Sequence, residues 1–178
     1  MKILGISGSL RVTSSNNAIL NFVAKLFPKS VEFNIYKGLK NIPAFDDSDE
    51  PSNEVIEFRN MIREANGVII CQPEYAFGVA GSLKNALDWT VLSGELVGKP
   101  VALITAATGG DKAHAALLLT LKALSSKVVD AATLLIPFVR TKLNDKGEVT
   151  SHEIIKALSG VVNALVQTVE EEKREQTS

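Results

Sequence analysis

Short apolar runs alternate with amphipathic stretches along most of this chain, and that alternation limits its fold more than any other feature. Most of the runs have the length of strands buried on both faces, whereas residues 31–36 alternate apolar and polar side chains, which predicts a strand near a sheet edge. Each amphipathic stretch repeats its apolar residues at spacings of three and four, as a helix does. Strands are predicted at residues 2–7, 31–36, 67–72, 100–106 and 132–139, and helices at residues 16–27, 53–65, 80–92, 112–126 and 151–169.

Five strands alternating with five helices predict an α/β fold in three layers, a five-stranded parallel sheet with helices on both faces. Right-handed crossovers favour the strand order 2-1-3-4-5. In that order the direction of winding reverses between the first and third strands, and ligands bind beyond the carboxyl ends of the strands at such a point. The loops at residues 8–15 and 73–79 are therefore the predicted binding loops.

Composition excludes several classes of protein. The 178 residues carry a net charge of −1, which argues against a nucleic-acid binder. No apolar run reaches the length of a membrane span, and the first apolar run is too short for a signal peptide. One cysteine, Cys71, excludes an internal disulfide and a multi-cysteine metal site, and no metal is expected. We expect one cytoplasmic domain over residues 1–178, with residues 170–178 fraying into solvent.

The loop after the first strand has the composition of an anion site. Residues 8–16 read Gly-Ser-Leu-Arg-Val-Thr-Ser-Ser-Asn and lead into a helix, whose first turn offers free main-chain N–H groups. Arg11 adds a bidentate donor suited to a phosphomonoester. The alternative is that Ser14 or Ser15 only caps the helix while Arg11 is solvated. The motifs of P-loop hydrolases and of dinucleotide-binding Rossmann units are absent.

The loop after the third strand combines two aromatic residues with a proline and two glycines. Tyr75 and Phe77 could border a flat ring, and Gly78 and Gly81 allow the main chain to approach a ligand closely. A phosphate at one loop and a flat ring at the next describe a mononucleotide-like cofactor. The alternative is that both aromatic side chains only anchor the loop to the core or to a partner subunit.

Two long motifs carry a resemblance to a known family. Residues 8–16 (G-S-L-R-x-x-S-x-N) and 73–89 (P-E-Y-x-x-x-x-x-G-x-L-K-N-A-L-D-W) resemble the NADPH-dependent FMN reductases, which include chromate, quinone and azo-dye reductases with a flavodoxin-like fold. The similarity spans residues 2–168. The chain departs from the family pattern at Ala76, where asparagine is common, and at Phe77-Gly78, where glycine-serine is common.

The resemblance implies a flavoprotein oxidoreductase that passes hydride from NADPH or NADH to bound FMN and then to a second acceptor. The acceptor would be a free flavin, a quinone, an azo compound or a metal oxyanion. A flavodoxin-like electron carrier that binds FMN without rapid NAD(P)H turnover is the alternative. No catalytic side chain is assigned, because the flavin carries the chemistry. The family is usually dimeric or tetrameric, with residues 81–89 near the subunit interface.

The resemblance also implies which residues hold FMN. The phosphate would bind at the loop after the first strand, and the ring would lie along the loop after the third strand, with the loop after the fourth strand on its other side. These residues are Ser9, Arg11, Ser14, Ser15 and Asn16 for the phosphate, Pro73, Glu74, Tyr75, Ala76 and Phe77 for the ring, and Ala107, Gly109 and Gly110 on its other side.

Overall fold

All five predicted strands are present, together with a hairpin that the sequence did not predict. The computed structural model describes residues 1–175. Its elements, in chain order, are β1 (Lys2–Ser7), α1 (Ser15–Ala24), β2 (Glu32–Tyr36), α2 (Asn53–Glu64), β3 (Gly67–Gln72), the hairpin strands β4 (Glu74–Tyr75) and β5 (Gly78–Val79), α3 (Gly81–Asp88), β6 (Pro100–Ala106), α4 (Asp111–Ala123), β7 (Lys127–Ile136) and α5 (His152–Glu175). Single 3-10 turns cover Leu39–Asn41 and Val139–Lys142.

The sheet confirms the predicted topology. Its order is β2-β1-β3-β6-β7, and every pair of neighbouring strands is parallel. Counting only the strands of this sheet, the order is 2-1-3-4-5. The carboxyl ends of β1, β3 and β6 therefore lie side by side, and the loops that follow them meet at one edge of the sheet.

Helices cover both faces of the sheet, because alternate side chains of each strand point to opposite sides. On one face, Leu4 and Ile6 of β1 are buried in a core with residues of α2, α3 and α4. On the other face, Ile3 lies in a second core with α1 and α5. Apolar burial on both faces explains why β1, β3 and β6 read as continuous apolar runs.

The boundaries of the last strand were predicted incorrectly. β7 begins at Lys127, five positions before the predicted start at 132, and ends at Ile136. Its pairing with β6 shifts register between Val101 and Leu103, and Asp130 and Ala131 are exposed there. Polar and small residues at an irregularity of an edge strand hide the strand pattern from the sequence. Helices α1 and α3 also end earlier than predicted, at Ala24 and Asp88.

Helix α5 continues past the point where the sequence predicted fraying. It runs to Glu175, with Val169 buried and Glu172 paired with Lys127 of β7 at 3.0 Å. Anchoring of its last turns on the sheet explains the difference for residues 170–175, and residues 176–178 lie outside the described part of the chain. Over residues 1–175, no helix has both the length and the apolar character that crossing a membrane requires.

Candidate functional site

The loop after β1 is held in place by its own main chain and by one helix cap. The Gly8 N–H donates to the Cys71 carbonyl of β3 at 2.8 Å, and the Ser14 N–H donates to the Arg11 carbonyl at 3.1 Å. The buried Ser14 Oγ accepts from the Asn17 N–H at 3.1 Å and so caps α1. Ser14 therefore has the capping role that the sequence offered as the alternative, and its hydroxyl hydrogen is left to donate.

Several donors of this loop have no protein acceptor. The Ser9 side chain is buried, and its Oγ has no hydrogen-bond partner. Ser15 and Asn16 are the first residues of α1, where N–H groups have no acceptor within the helix. Arg11 is exposed, and no ion pair involves its guanidinium among the residues described. A phosphate would satisfy the buried Ser9 hydroxyl, so the loop fits the phosphate of FMN.

The side chain of Asn16 has a structural role that the sequence did not indicate. Its Nδ2 donates to the Ala106 carbonyl at the end of β6 at 3.2 Å, and its Oδ1 lies 3.3 Å from the Cys71 Sγ, which donates to it. Asn16 is buried, so this amide is not free to contact a ligand. Only its main-chain N–H remains for a phosphate. Burial raises the pKa of the Cys71 thiol, which keeps this thiol protonated.

The loop after β3 forms a β-hairpin with a two-residue turn. Tyr75 pairs with Gly78, while Ala76 and Phe77 occupy the turn with φ of 48° and 58°. Positive φ at both central positions is the pattern of a type I′ turn, which favours asparagine and glycine. The Tyr75 and Phe77 side chains are 52% and 79% exposed, so they do not anchor the hairpin to the core of this chain. Both aromatic rings are left available to a ligand or a partner subunit.

Gly8 lets the first two loops approach each other. A Cβ on Gly8 would lie 3.1 Å from Pro73 Cδ and 3.1 Å from Gln72 Cβ. This spacing is tighter than ordinary van der Waals contact, so a side chain at position 8 would push the loops apart. The loop after β1, whose phosphate binding is proposed below and which is called the phosphate loop there, therefore lies directly beside the start of the hairpin.

Glu74 joins the hairpin to the loop after β6. Its Oε2 accepts from the Ala113 N–H in the first turn of α4 at 3.0 Å, and a Cβ on Gly109 would lie 3.4 Å from its Oε1. Gly110 precedes α4 with φ of 111°, a conformation that L side chains rarely adopt. Ala107 is buried and its N–H donates to Ile136 of β7 at 3.2 Å. Residues 107–110 are thus fixed beside the hairpin.

A buried chain of hydrogen bonds beneath these loops was not predicted from the sequence. Gln72 Nε2 donates to the Ala113 carbonyl at 2.8 Å and to Thr105 Oγ1 at 3.3 Å, and Thr105 Oγ1 lies 2.9 Å from His114 Nδ1. The donor and acceptor in this last contact depend on the histidine tautomer, and a neutral His114 with its proton on Nε2 would accept at Nδ1 from the Thr105 hydroxyl. Burial lowers the pKa of His114 and favours this neutral form. Gln72 and Thr105 occupy paired positions at the strand ends, which only the sheet register reveals.

The structure brings all three predicted loops to one edge of the sheet, and comparison with known proteins identifies the family. The family model described as NADPH-dependent FMN reductase matches residues 1–141. The chain belongs to this family. It is therefore an NAD(P)H-dependent oxidoreductase with FMN as its cofactor.

Individual relatives give similar descriptions. The chain is 29% identical to a quinone reductase of Escherichia coli over 183 residues, covering 97% of each chain. It is 39% identical to NADH-dependent flavin reductase subunit 2 of Lactobacillus johnsonii over 90 residues, or 51% of this chain and 48% of that protein. Among solved structures, the flavoenzyme NAD(P)H:(acceptor) oxidoreductase FerB of Paracoccus denitrificans superposes with a TM-score of 0.83 at 26% identity, over 96% of this chain and 97% of that chain.

Proposed function

We propose that residues 1–178 form one FMN-binding domain that transfers hydride from NAD(P)H, through FMN, to a small-molecule acceptor. One observation carries this proposal. Hydrogen-bond donors without protein acceptors, above all the buried Ser9 Oγ, lie next to a hairpin with two exposed aromatic side chains. Both features lie where the direction of winding of the sheet reverses, between β1 and β3. A phosphate beside a flat ring is the ligand that satisfies both features.

The phosphate end would be held by the loop after β1. Arg11 supplies a guanidinium with no competing carboxylate among the described side chains, and Ser9 and Ser14 supply hydroxyl hydrogens. The main-chain N–H groups of Ser15 and Asn16 add the partial positive charge of the start of α1. These three kinds of donor, guanidinium, hydroxyl and main-chain N–H, would bind one phosphate together.

The ring would lie between the hairpin and residues 107–110. Pro73, Glu74 and the turn residues Ala76 and Phe77 border one side with main-chain groups, and the exposed Tyr75 ring borders the edge. Ala107, Gly109 and Gly110 would border the opposite side of the flavin, and Gly109 has no side chain there to contact the Glu74 carboxylate. Bound FMN would supply the redox chemistry, taking two electrons from the nicotinamide and giving them to the acceptor. The chain's residues would orient the two substrates, and this scheme requires no side chain to act as an acid or a base.

The acceptor belongs to the proposal as a class: free flavin, quinone, azo compound or metal oxyanion. The exposed Tyr75 and Phe77 favour a flat acceptor, because aromatic faces stack on flat rings. The quinone reductase of Escherichia coli, matched over nearly its whole length, supports a quinone. Turnover with each acceptor class and an NAD(P)H-regenerating system would rank the candidates.

We also propose a homodimer or homotetramer formed around α3. Val91 and Leu92, just after this helix, are 56% and 70% exposed, and burying them against a second copy would be favourable. Light scattering of the purified protein tests this proposal. A Leu92→Arg variant should then shift the protein toward monomer, and a wild-type monomer at micromolar concentration would contradict it.

The test of the function is spectroscopic. The FMN-free protein is titrated with FMN and then exposed to NADPH without oxygen. We expect saturable flavin uptake and rapid loss of the flavin absorbance, and a Ser9→Ala variant should take up FMN more weakly. A chain that binds no FMN would overturn the proposal. Bound flavin that NADPH and NADH reduce only slowly would favour an electron carrier.

A further inference from the structure

A cavity lies beside the phosphate loop, beyond the carboxyl end of β2. Its volume is about 400 Å³. Ser9, Leu10 and Val12 form the wall shared with the phosphate loop, and the opposite wall comes from the segment after β2 that contains Lys37 and Lys40. Because β2 and β3 flank β1 on opposite sides, this cavity is separated from the hairpin by the phosphate loop.

The cavity is lined by cations and by no carboxylate. Lys37 and Lys40 are both exposed, and neither takes part in an ion pair within residues 1–175. A neighbouring cavity of about 410 Å³ on the other side of α1 differs in this respect, because Asp145 and Glu148 line it. Two uncompensated lysines facing one cavity attract an anionic group.

The other residues that line the cavity are suited to bind the base of a nucleoside. Leu10 is 51% exposed and lies across from Ile35 and Leu39, which gives an apolar surface for a flat heterocycle. Asn21 adds an exposed amide on α1 that can hydrogen-bond a base. The buried Ser9 Oγ, without a protein partner, lies in the shared wall. Pockets of this volume commonly take small organic ligands.

The cavity is also within reach of the hairpin. Neighbouring strands lie about 4.8 Å apart, so the ends of β2 and β3 are roughly 10 Å apart across β1. Two nucleosides joined by a pyrophosphate can bridge that separation, with one at the hairpin and the other in the cavity.

We propose that this cavity binds the adenosine end of NADPH, with Lys37 and Lys40 contacting the 2′-phosphate. The chain would then prefer NADPH to NADH, because NADH lacks this phosphate. The inference rests on the proposed function, since it assigns the second part of the nicotinamide substrate to a place next to the FMN site.

Binding of nucleotide fragments tests the inference without turnover. The FMN-loaded protein is titrated calorimetrically with adenosine 2′,5′-bisphosphate, 5′-AMP and inorganic phosphate. We expect the bisphosphate to bind at least roughly tenfold more tightly than 5′-AMP, as charge-assisted hydrogen bonds predict. The Lys37→Ala/Lys40→Ala variant should lose that difference and show a higher ratio of the KM for NADPH to the KM for NADH. Lys29→Ala is the matched control, because Lys29 is exposed and does not line the cavity.

Three results would overturn the inference. These are equal affinity of the wild type for the bisphosphate and 5′-AMP, unchanged bisphosphate affinity in the double variant, or binding of inorganic phosphate as tight as that of the bisphosphate. Failure of the proposed function looks different, because the chain would then take up no FMN. The bisphosphate titration of the same protein would still report on the cavity.

Discussion

The carboxylate of Glu74 accepts a 3.0 Å hydrogen bond from the main-chain N–H of Ala113, 39 positions away in the sequence. Ala113 lies in the first turn of α4, where N–H groups have no acceptor within the helix and negative charge is stabilised. Gly110, the residue at the cap position, has no side chain to accept them. A residue of the hairpin therefore caps the helix that follows the third loop of the site.

Removing this cap should destabilise the fold. Glu74→Ala is expected to lower the free energy of unfolding by about 1–2 kcal/mol, the usual cost of losing a cap. Glu74→Gln keeps an acceptor and should lose less than half as much. Urea unfolding of the FMN-free protein measures both. Glu170→Ala, at an exposed position of α5, is the control and should change stability by less than about 0.5 kcal/mol. Equal losses for Glu74→Ala and Glu170→Ala would contradict the capping role.

The hairpin turn is strained at two positions and should be easy to stabilise. Ala76 and Phe77 have positive φ, which costs non-glycine residues roughly 1–2 kcal/mol each. Ala76→Asn and Phe77→Gly install the residues that a type I′ turn prefers, so each should raise stability by about 0.5–1 kcal/mol. Thermal unfolding of the FMN-free protein is the measurement. Ala115→Asn, in the interior of α4, is a matched control and should have the opposite sign. A loss of stability in both turn variants would refute this account.

His114 should make stability depend on pH. Burial lowers its pKa in the folded protein below the value of about 6.5 that histidine has in an unfolded chain. The unfolded state therefore binds more protons in this range, and stability falls as the pH drops through 6.5 and below. His114→Gln should flatten the pH dependence of urea unfolding in this window. An identical slope in wild type and His114→Gln would rule the mechanism out.

The sequence predicted the sheet because its central strands, β1, β3 and β6, are buried on both faces. Continuous apolar runs such as that of β3 leave little choice of element, and their alternation with helices restricts the strand order. The hairpin was not predicted, because Ala76 and Phe77 are not the residues that a type I′ turn favours. At β7, an edge-strand irregularity near Asp130 hid the true start.

Within the candidate site, the sequence correctly predicted which loops lie together. It was less successful in predicting the role of each side chain. The family resemblance gave Asn16 to the phosphate, whereas its amide bonds Ala106 and Cys71. Glu74 was assigned to the ring and its carboxylate also caps α4. Such roles depend on contacts between segments 39 to 90 positions apart, which neither periodicity nor local motifs encode.

Substitutions at Arg11 and Asn16 should change different properties of the protein, the affinity for FMN in the first case and the free energy of unfolding in the second. Arg11→Ala is expected to weaken FMN binding roughly tenfold or more, since a charge-assisted hydrogen bond is lost, while the FMN-free protein keeps its stability because Arg11 is exposed. Asn16→Ala should lower the free energy of unfolding by about 1–3 kcal/mol, because the buried Ala106 carbonyl loses its donor. Fluorescence titration with FMN and urea unfolding of both variants measure the two quantities. Unchanged FMN affinity in Arg11→Ala would contradict binding of the phosphate at this loop. An Asn16→Ala protein as stable as wild type would show that the Asn16 amide does not hold β6 to α1.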